Sequence, residues 1–105
     1  MAQFDVYENP NVPQRAVFPF VVQVQNDFFD SLPTRLVIPL QRSRLRTDAF
    51  PRRLTETMRV QGEQLFIAAH LAGALPVRLL RNPVTSAAGQ QGLVRDALDA
   101  LLSGV

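Results

Sequence analysis

The chain contains one histidine, His70, and neither cysteine nor lysine. Activated nucleophiles are usually built from such residues, so a Cys-His or a Ser-Lys pair is excluded and only His70 is left for a Ser-His arrangement. His70 stands between Ala69 and Leu71 with no acid close by in sequence to orient it, and it reads as a structural or surface residue. No glycine-rich phosphate loop, paired-histidine zinc motif or calcium loop occurs, so no metal site, cofactor or catalytic residue is expected. The nine carboxylates are scattered, and a general acid/base pair would arise only if folding assembled one.

Three surfaces carry more promise than any catalytic motif. The first is Asn26-Asp27-Phe28-Phe29-Asp30-Ser31-Leu32-Pro33, two adjacent aromatics in a segment of turn formers. At least one ring is expected to point outward: neighbours on an extended chain face opposite ways, so either one ring enters the core and the other is incidentally exposed, or an outward ring is an anchor for a partner. Burying one such ring contributes about 1.5 to 3 kcal/mol before ordering costs are subtracted. The second is Gln41-Arg42-Ser43-Arg44-Leu45-Arg46 with Arg52-Arg53, five arginines in twelve residues against one acid, Asp48. It reads as a solvated loop or as a docking patch for an acidic segment or phosphates, whose oxygens a guanidinium fork can bind in pairs. The third is Leu101-Leu102-Ser103-Gly104-Val105, where an apolar helix end runs into the last residues of the sequence. Ends fray, but a helix tied down by its apolar stripe would present them at a definite place.

The elements that must position these surfaces are mostly strands. Gln3 to Tyr7 and Val17 to Gln25 are predicted strands, the second with Phe18, Phe20, Val22 and Val24 on a core face and Gln23 and Gln25 opposite. Pro19 has no ladder donor, which predicts an edge position or a bulge there. Thr34 to Leu40 is a third strand with Leu36, Ile38 and Leu40 on one face and Pro39 at its weakening end. Leu54 to Val60 and Gln64 to Ala68 form a hairpin in which Gly62 supplies positive φ, and Val77 to Arg81 adds a short strand. From about Ala88 the period changes: Leu93, Val94, Ala97, Leu98, Leu101 and Leu102 form the stripe of an amphipathic helix, with Thr85 or Ser86 to cap its start and Gly104 at its end.

At 105 residues, 47% hydrophobic and 19% charged, the chain is expected to form one domain, residues 1–105, with a single core. No apolar run suits a membrane span and no basic-then-apolar leader opens the sequence, so a cytoplasmic protein is expected; the lack of cysteine fits a reducing compartment. The sequence pI near 10.4 overstates the charge, because the net charge is only +2 and all eleven basic residues are arginine. Nucleic-acid binding does not follow from it.

Taken together, Gln3-Phe4-Asp5-Val6-Tyr7, Val22-Gln23-Val24-Gln25-Asn26-Asp27, Thr34-Arg35-Leu36-Val37-Ile38-Pro39-Leu40, Leu75-Pro76-Val77 and the Gly-Val end resemble the CcdB family of toxins from toxin-antitoxin modules, across essentially the whole chain. The resemblance implies a mainly β fold with a C-terminal α-helix, an SH3-like barrel with a small β-sheet wing, assembled as a homodimer. It implies a toxin that is not an enzyme: one that binds the DNA gyrase A subunit and traps gyrase on cleaved DNA. A cognate CcdA-like antitoxin neutralises such a toxin and joins it in repressing their operon, operator DNA being met only through that complex. By position, the gyrase contacts fall on Phe28, Phe29, Asp99, Leu102, Ser103, Gly104 and Val105, and the antitoxin-contacted loop on Arg42, Ser43, Arg44 and Arg46.

The chain departs from the family's pattern where Ser103 replaces a tryptophan and Asp99 a neutral amide. A hot-spot tryptophan carries about 2 to 4 kcal/mol, so its absence weakens binding unless the two phenylalanines compensate. Two other readings stand beside this one. A MazF-like endoribonuclease toxin shares the barrel and would use the arginine loop with His70, although the glycine-aspartate pattern of that family is missing from the N-terminus. A non-toxic homologue would serve only as an antitoxin-binding regulatory partner.

Overall fold

The computed structural model describes residues 2–42 and 56–104. Among these residues seven strands, β1 (Asp5–Glu8), β2 (Phe20–Gln23), β3 (Thr34–Arg42), β4 (Thr57–Val60), β5 (Glu63–Ile67), β6 (Gly73–Pro76) and β7 (Thr85–Ser86), precede one helix, α1 (Gln91–Ser103). The strands run β4-β5-β3-β2-β1-β7, with β6 also paired to β3. All of these pairings are antiparallel. The sheet curls into a half-barrel, giving the mainly β fold with a C-terminal helix that the sequence predicts.

Alternation along the strands divides the apolar residues between two faces. Val6, Val22, Ile38 and Leu40 point to one side, where Met58, Val60, Leu65 and Ile67 from the β4–β5 hairpin meet Val94 and Ala97 of α1. Tyr7, Val21 and Val37 point to the other, where Leu80 and Leu75 cover them. The expectation of a single core face on β2 is thereby corrected. Gln23 is fully buried, and its side-chain amide donates to the Ala2 carbonyl at 3.1 Å. The edge or bulge expected at Pro19 is also absent, because Pro19 precedes the first ladder residue and β2 lies between β1 and β3.

β3 does not weaken at Pro39 but runs on to Arg42. One of its edges pairs with β6 over Thr34–Val37 and with β5 over Leu40–Arg42. In an antiparallel strand the N–H and C=O of one residue point the same way, and the Pro39 carbonyl accepts from Ala68 N–H at 3.0 Å on that edge. The missing donor therefore falls in the interval where β3 changes partner.

The β4–β5 turn is made by Gln61 (φ 51°) and Gly62 (φ 83°), as Gly62 predicts; Leu54 and Thr55 of the expected strand lie outside the described residues. Val77 to Arg81 is not a strand. Val77–Leu79 form a 3-10 turn, and the ladder residues are those before it, Gly73–Pro76; the Val77 N–H makes the last bond in that register, to the Pro33 carbonyl at 3.0 Å, and the Leu80 N–H then turns back to the Val77 carbonyl.

α1 starts at Gln91 after a 3-10 turn over Ala88–Gln90. Neither Thr85 nor Ser86 caps the helix as the sequence predicts: Gln90 stands at the cap position of α1 with no side-chain capping bond, and both residues pair with β1, the Ser86 hydroxyl accepting from Ala88 N–H at 3.2 Å. Gln90 holds the outer edge of β4: its side-chain oxygen accepts from Arg59 N–H at 2.9 Å and its amide donates to the Arg59 carbonyl at 2.8 Å. The side chain thus replaces a missing neighbour strand at an exposed edge. Gly104 ends the helix at φ 73°, its N–H bonded to the Ala100 carbonyl at 2.9 Å.

Candidate protein-binding site

Asn26 begins a 3-10 turn over Asp27–Phe29, its side-chain oxygen accepting from Phe28 N–H at 2.9 Å. A turn of this pitch does not throw neighbours to opposite sides as a strand does. Both rings accordingly face solvent, Phe28 85% and Phe29 50% exposed; at least one outward ring is what the sequence predicts, and the alternative that sends the other into the core is corrected. The rings meet edge to face, centroids 5.3 Å apart at 81°, which favours the positive rim of one against the negative face of the other. Leu32 is exposed in the same segment.

The third predicted surface is the end of α1. The helix buries Val94, Ala97 and Ala100, and Leu93 and Leu98 pack partly against the core. The stripe does not hold to its end: Leu101 is exposed and Leu102 is 81% exposed, because the last turn extends past its final buried residue, Ala100. Asp99 and Ser103 are exposed, and the Ser103 hydroxyl donates to the Asp99 carbonyl at 2.6 Å, turned back on its own helix. Gly104 is exposed at the cap, and Val105 lies outside the described residues.

A short stretch of backbone connects these surfaces. Gln3 N–H donates to Asp27 Oδ1 at 2.8 Å, tying the N-terminal segment to the phenylalanine turn. Phe4, at φ 71°, is a bulky residue held in the left-handed region; its N–H bonds to the Gln23 carbonyl and its carbonyl accepts from Ala87 N–H. Its ring lies under the Arg95 guanidinium, 5.5 Å from the centroid, a cation–π contact one helical turn before Asp99. Ala2 to Phe4 therefore links the Phe28-Phe29 turn to α1.

The turn has two further fixings that the sequence reading did not single out. Gln25 donates through its amide to the Phe29 and Thr34 carbonyls and accepts from Leu36 N–H. Arg35, inside β3, sends its guanidinium to the carbonyls of Asp30, Leu32 and Thr34. The available signal was a charged residue two positions before Val37 on an inward-facing line of the strand.

Arg42, first of the predicted antitoxin-contacting residues, is engaged within the fold: Nε meets Glu63 at 2.8 Å, and one terminal nitrogen donates to the Arg15 and Ala16 carbonyls. Ser43, Arg44 and Arg46, with Arg52 and Arg53, lie outside the described residues. His70 is exposed in a 3-10 turn over Ala69–Leu71. Among the described residues no three of His, Asp or Glu gather where they could hold a metal ion. A groove of about 510 Å³ lies against the Tyr7 and Val21 side of the sheet, with Asn9, Phe18, Pro39 and Leu75 in its walls, and none of the predicted site residues lines it.

The half-barrel, its C-terminal helix and the apolar side chains held outward on a short turn and a helix end define a small mainly β protein built to present surface. The chain belongs to the CcdB family: the family model described as CcdB protein matches residues 3–104, nearly its whole length. That family places it among the toxins of toxin-antitoxin modules. No curated protein matches the chain. No helix among the described residues is long and apolar enough to cross a membrane.

Proposed function

We propose that this toxin is cytoplasmic, acts as a homodimer, and works by binding the DNA gyrase A subunit and trapping gyrase on cleaved DNA, without catalysing a reaction itself. The observation that carries the reading is the family match over residues 3–104 coinciding with an outward Phe28-Phe29 pair and a helix end whose Leu102 is uncovered. Exposed aromatic and aliphatic groups on rigid backbone are what a partner can bury with little ordering cost. Phe28, Phe29, Asp99, Leu102, Ser103, Gly104 and Val105 form the gyrase-binding set. A CcdA-like antitoxin competes for the toxin, contacts the loop of Arg42, Ser43, Arg44 and Arg46, and joins it in repressing their operon. Arg42 serves there chiefly by anchoring the start of that loop, given its bonds to Glu63 and the Arg15 and Ala16 carbonyls. Capture of gyrase A subunit by the wild type, lost in Gly104→Arg and in a chain lacking Ser103 to Val105, is the expected result. Growth arrest by the truncated chain equal to that by the whole one would sink the reading.

A second reading has its own observation. Ser103 offers no ring at the helix end and bonds its hydroxyl internally, which suits a homologue that binds antitoxin without poisoning gyrase. Overexpression without growth arrest, together with tight antitoxin binding, would select it.

A further inference from the structure

We propose that Arg35 is a positioning residue for the Phe28-Phe29 anchor: its buried guanidinium, rooted in β3, clamps the carbonyls of the descending limb of the turn and so fixes where the two rings stand. The proposal rests on the gyrase-binding reading of those rings but has a readout that does not. Arg35 is only 4% exposed, and a charge so placed is tolerated only where fixed acceptors replace its water. Those acceptors all belong to the turn and its exit: Nη1 donates to Leu32 O at 2.6 Å and Thr34 O at 3.0 Å, and Nη2 to Asp30 O at 2.7 Å. The Asp30 carboxylate adds an ion pair at 3.6 Å, but it is half exposed and therefore contributes little. Arg35 Nε has no hydrogen-bond partner, so the group is oriented chiefly by the carbonyls it grips.

The clamp acts where the turn lacks other restraint. Asn26 caps the front of the turn, Gln3 holds Asp27, and Gln25 holds the Phe29 carbonyl. Beyond Phe29, the Leu32 N–H reaches back to the Phe29 carbonyl, and among the side chains of the described residues Arg35 alone holds Asp30 and Leu32 by their carbonyls. A planar fork can satisfy acceptors spread over five residues at once, which a single ammonium cannot.

The test is a double-mutant cycle on the full chain. Arg35→Met keeps the stem and removes the fork, and Arg35→Lys keeps the charge and serves should the first variant not fold. Gyrase A subunit binding is expected to fall about tenfold in either variant, but by less than about twofold when the same change is made in a Phe28→Ala/Phe29→Ala background. An equal loss in both backgrounds means Arg35 acts through general stability and overturns the proposal. Independently of gyrase, protein labelled with fluorinated phenylalanine gives resolvable signals for its seven phenylalanines, assigned with single alanine variants. The Phe28 and Phe29 signals are expected to move toward the unfolded shift in Arg35→Met while that of buried Phe4 stays. Unmoved Phe28 and Phe29 signals overturn the proposal. Should Phe28→Ala/Phe29→Ala leave gyrase binding intact, the parent reading falls, and the fluorine spectra still decide whether Arg35 sets the rings.

Discussion

Replacing Phe28 by alanine separates the binding surface from the fold. The ring is 85% exposed, so nearly all of its apolar area is available to a partner. Full burial of such a side chain contributes about 1.5 to 3 kcal/mol, and scaling by the exposed share gives about 1.3 to 2.5 kcal/mol, or about 10- to 70-fold in dissociation constant. The fold gives up little, since the ring's ordered neighbour is Phe29, itself half exposed. A surface truncation of this kind changes stability by no more than about 0.5 kcal/mol, a shift below about 4 °C in Tm. Titration calorimetry of the purified chain into gyrase A subunit, with a thermal melt of the same sample, reads both quantities. Phe28→Ala binding within about twofold of wild type would refute the reasoning. A melting point lowered by more than about 10 °C would instead show that the ring supports the core.

Leu102→Glu keeps a good helix former at an 81% exposed position and is expected to leave the melt unchanged while weakening gyrase binding at least about tenfold, measured in the same titration. Gln90→Ala removes both bonds to Arg59 at the β4 edge and is expected to cost about 1 to 2 kcal/mol in urea unfolding, with faster exchange of the Arg59 amide; unaltered exchange would show that the edge does not need the side chain. Tyr7, the chain's single tyrosine, has its pKa raised above 10.0, first by burial and then by the Asp5 carboxylate, with Arg35 opposing. The folded state thus holds the proton more tightly than the unfolded chain, so this contribution to stability is full below pH 10.0 and is lost as pH climbs from there through the folded pKa. Absorbance titration at alkaline pH should place the phenolate midpoint above 10.0, and a midpoint at or below that value would contradict the burial of the ring.

Much of the architecture was legible because local rules and the fold agree. Alternation located β1 to β5, Gly62 marked the hairpin, and the change of period at Ala88 marked the helix with Gly104 at its end. The misreadings share a cause, which is tertiary context. Gln23 looks solvent-facing until the N-terminal segment covers it, Pro39 looks like a stop until β3 is seen to change partner there, and the strand expected from Val77 comes earlier in the chain because β3 pairs with Gly73–Pro76. At the site, Phe28-Phe29 was found by residue type, but its outward pair depends on the Asn26 cap, which a strand-based rule ignores. Periodicity puts Leu101 and Leu102 on the stripe of the helix, but it fixes only a direction, and both stand exposed beyond the last buried residue, Ala100. Beyond a charge on an inward-facing line of β3, the role of Arg35 is not legible in the sequence, because its acceptors are backbone carbonyls, which no sequence pattern displays.

Pro39 also determines what β3 cannot become. A strand that slid by two residues would keep every side chain on its proper face, so hydrophobic patterning alone does not forbid the error. Here such a slide would carry the imide ring out of the gap between β6 and β5 and set it against a carbonyl that requires a donor. The proline behaves as a detent: one setting of the strand is free of conflict, and in that setting Arg35 and Arg42 emerge at opposite ends of β3, each among its own acceptors.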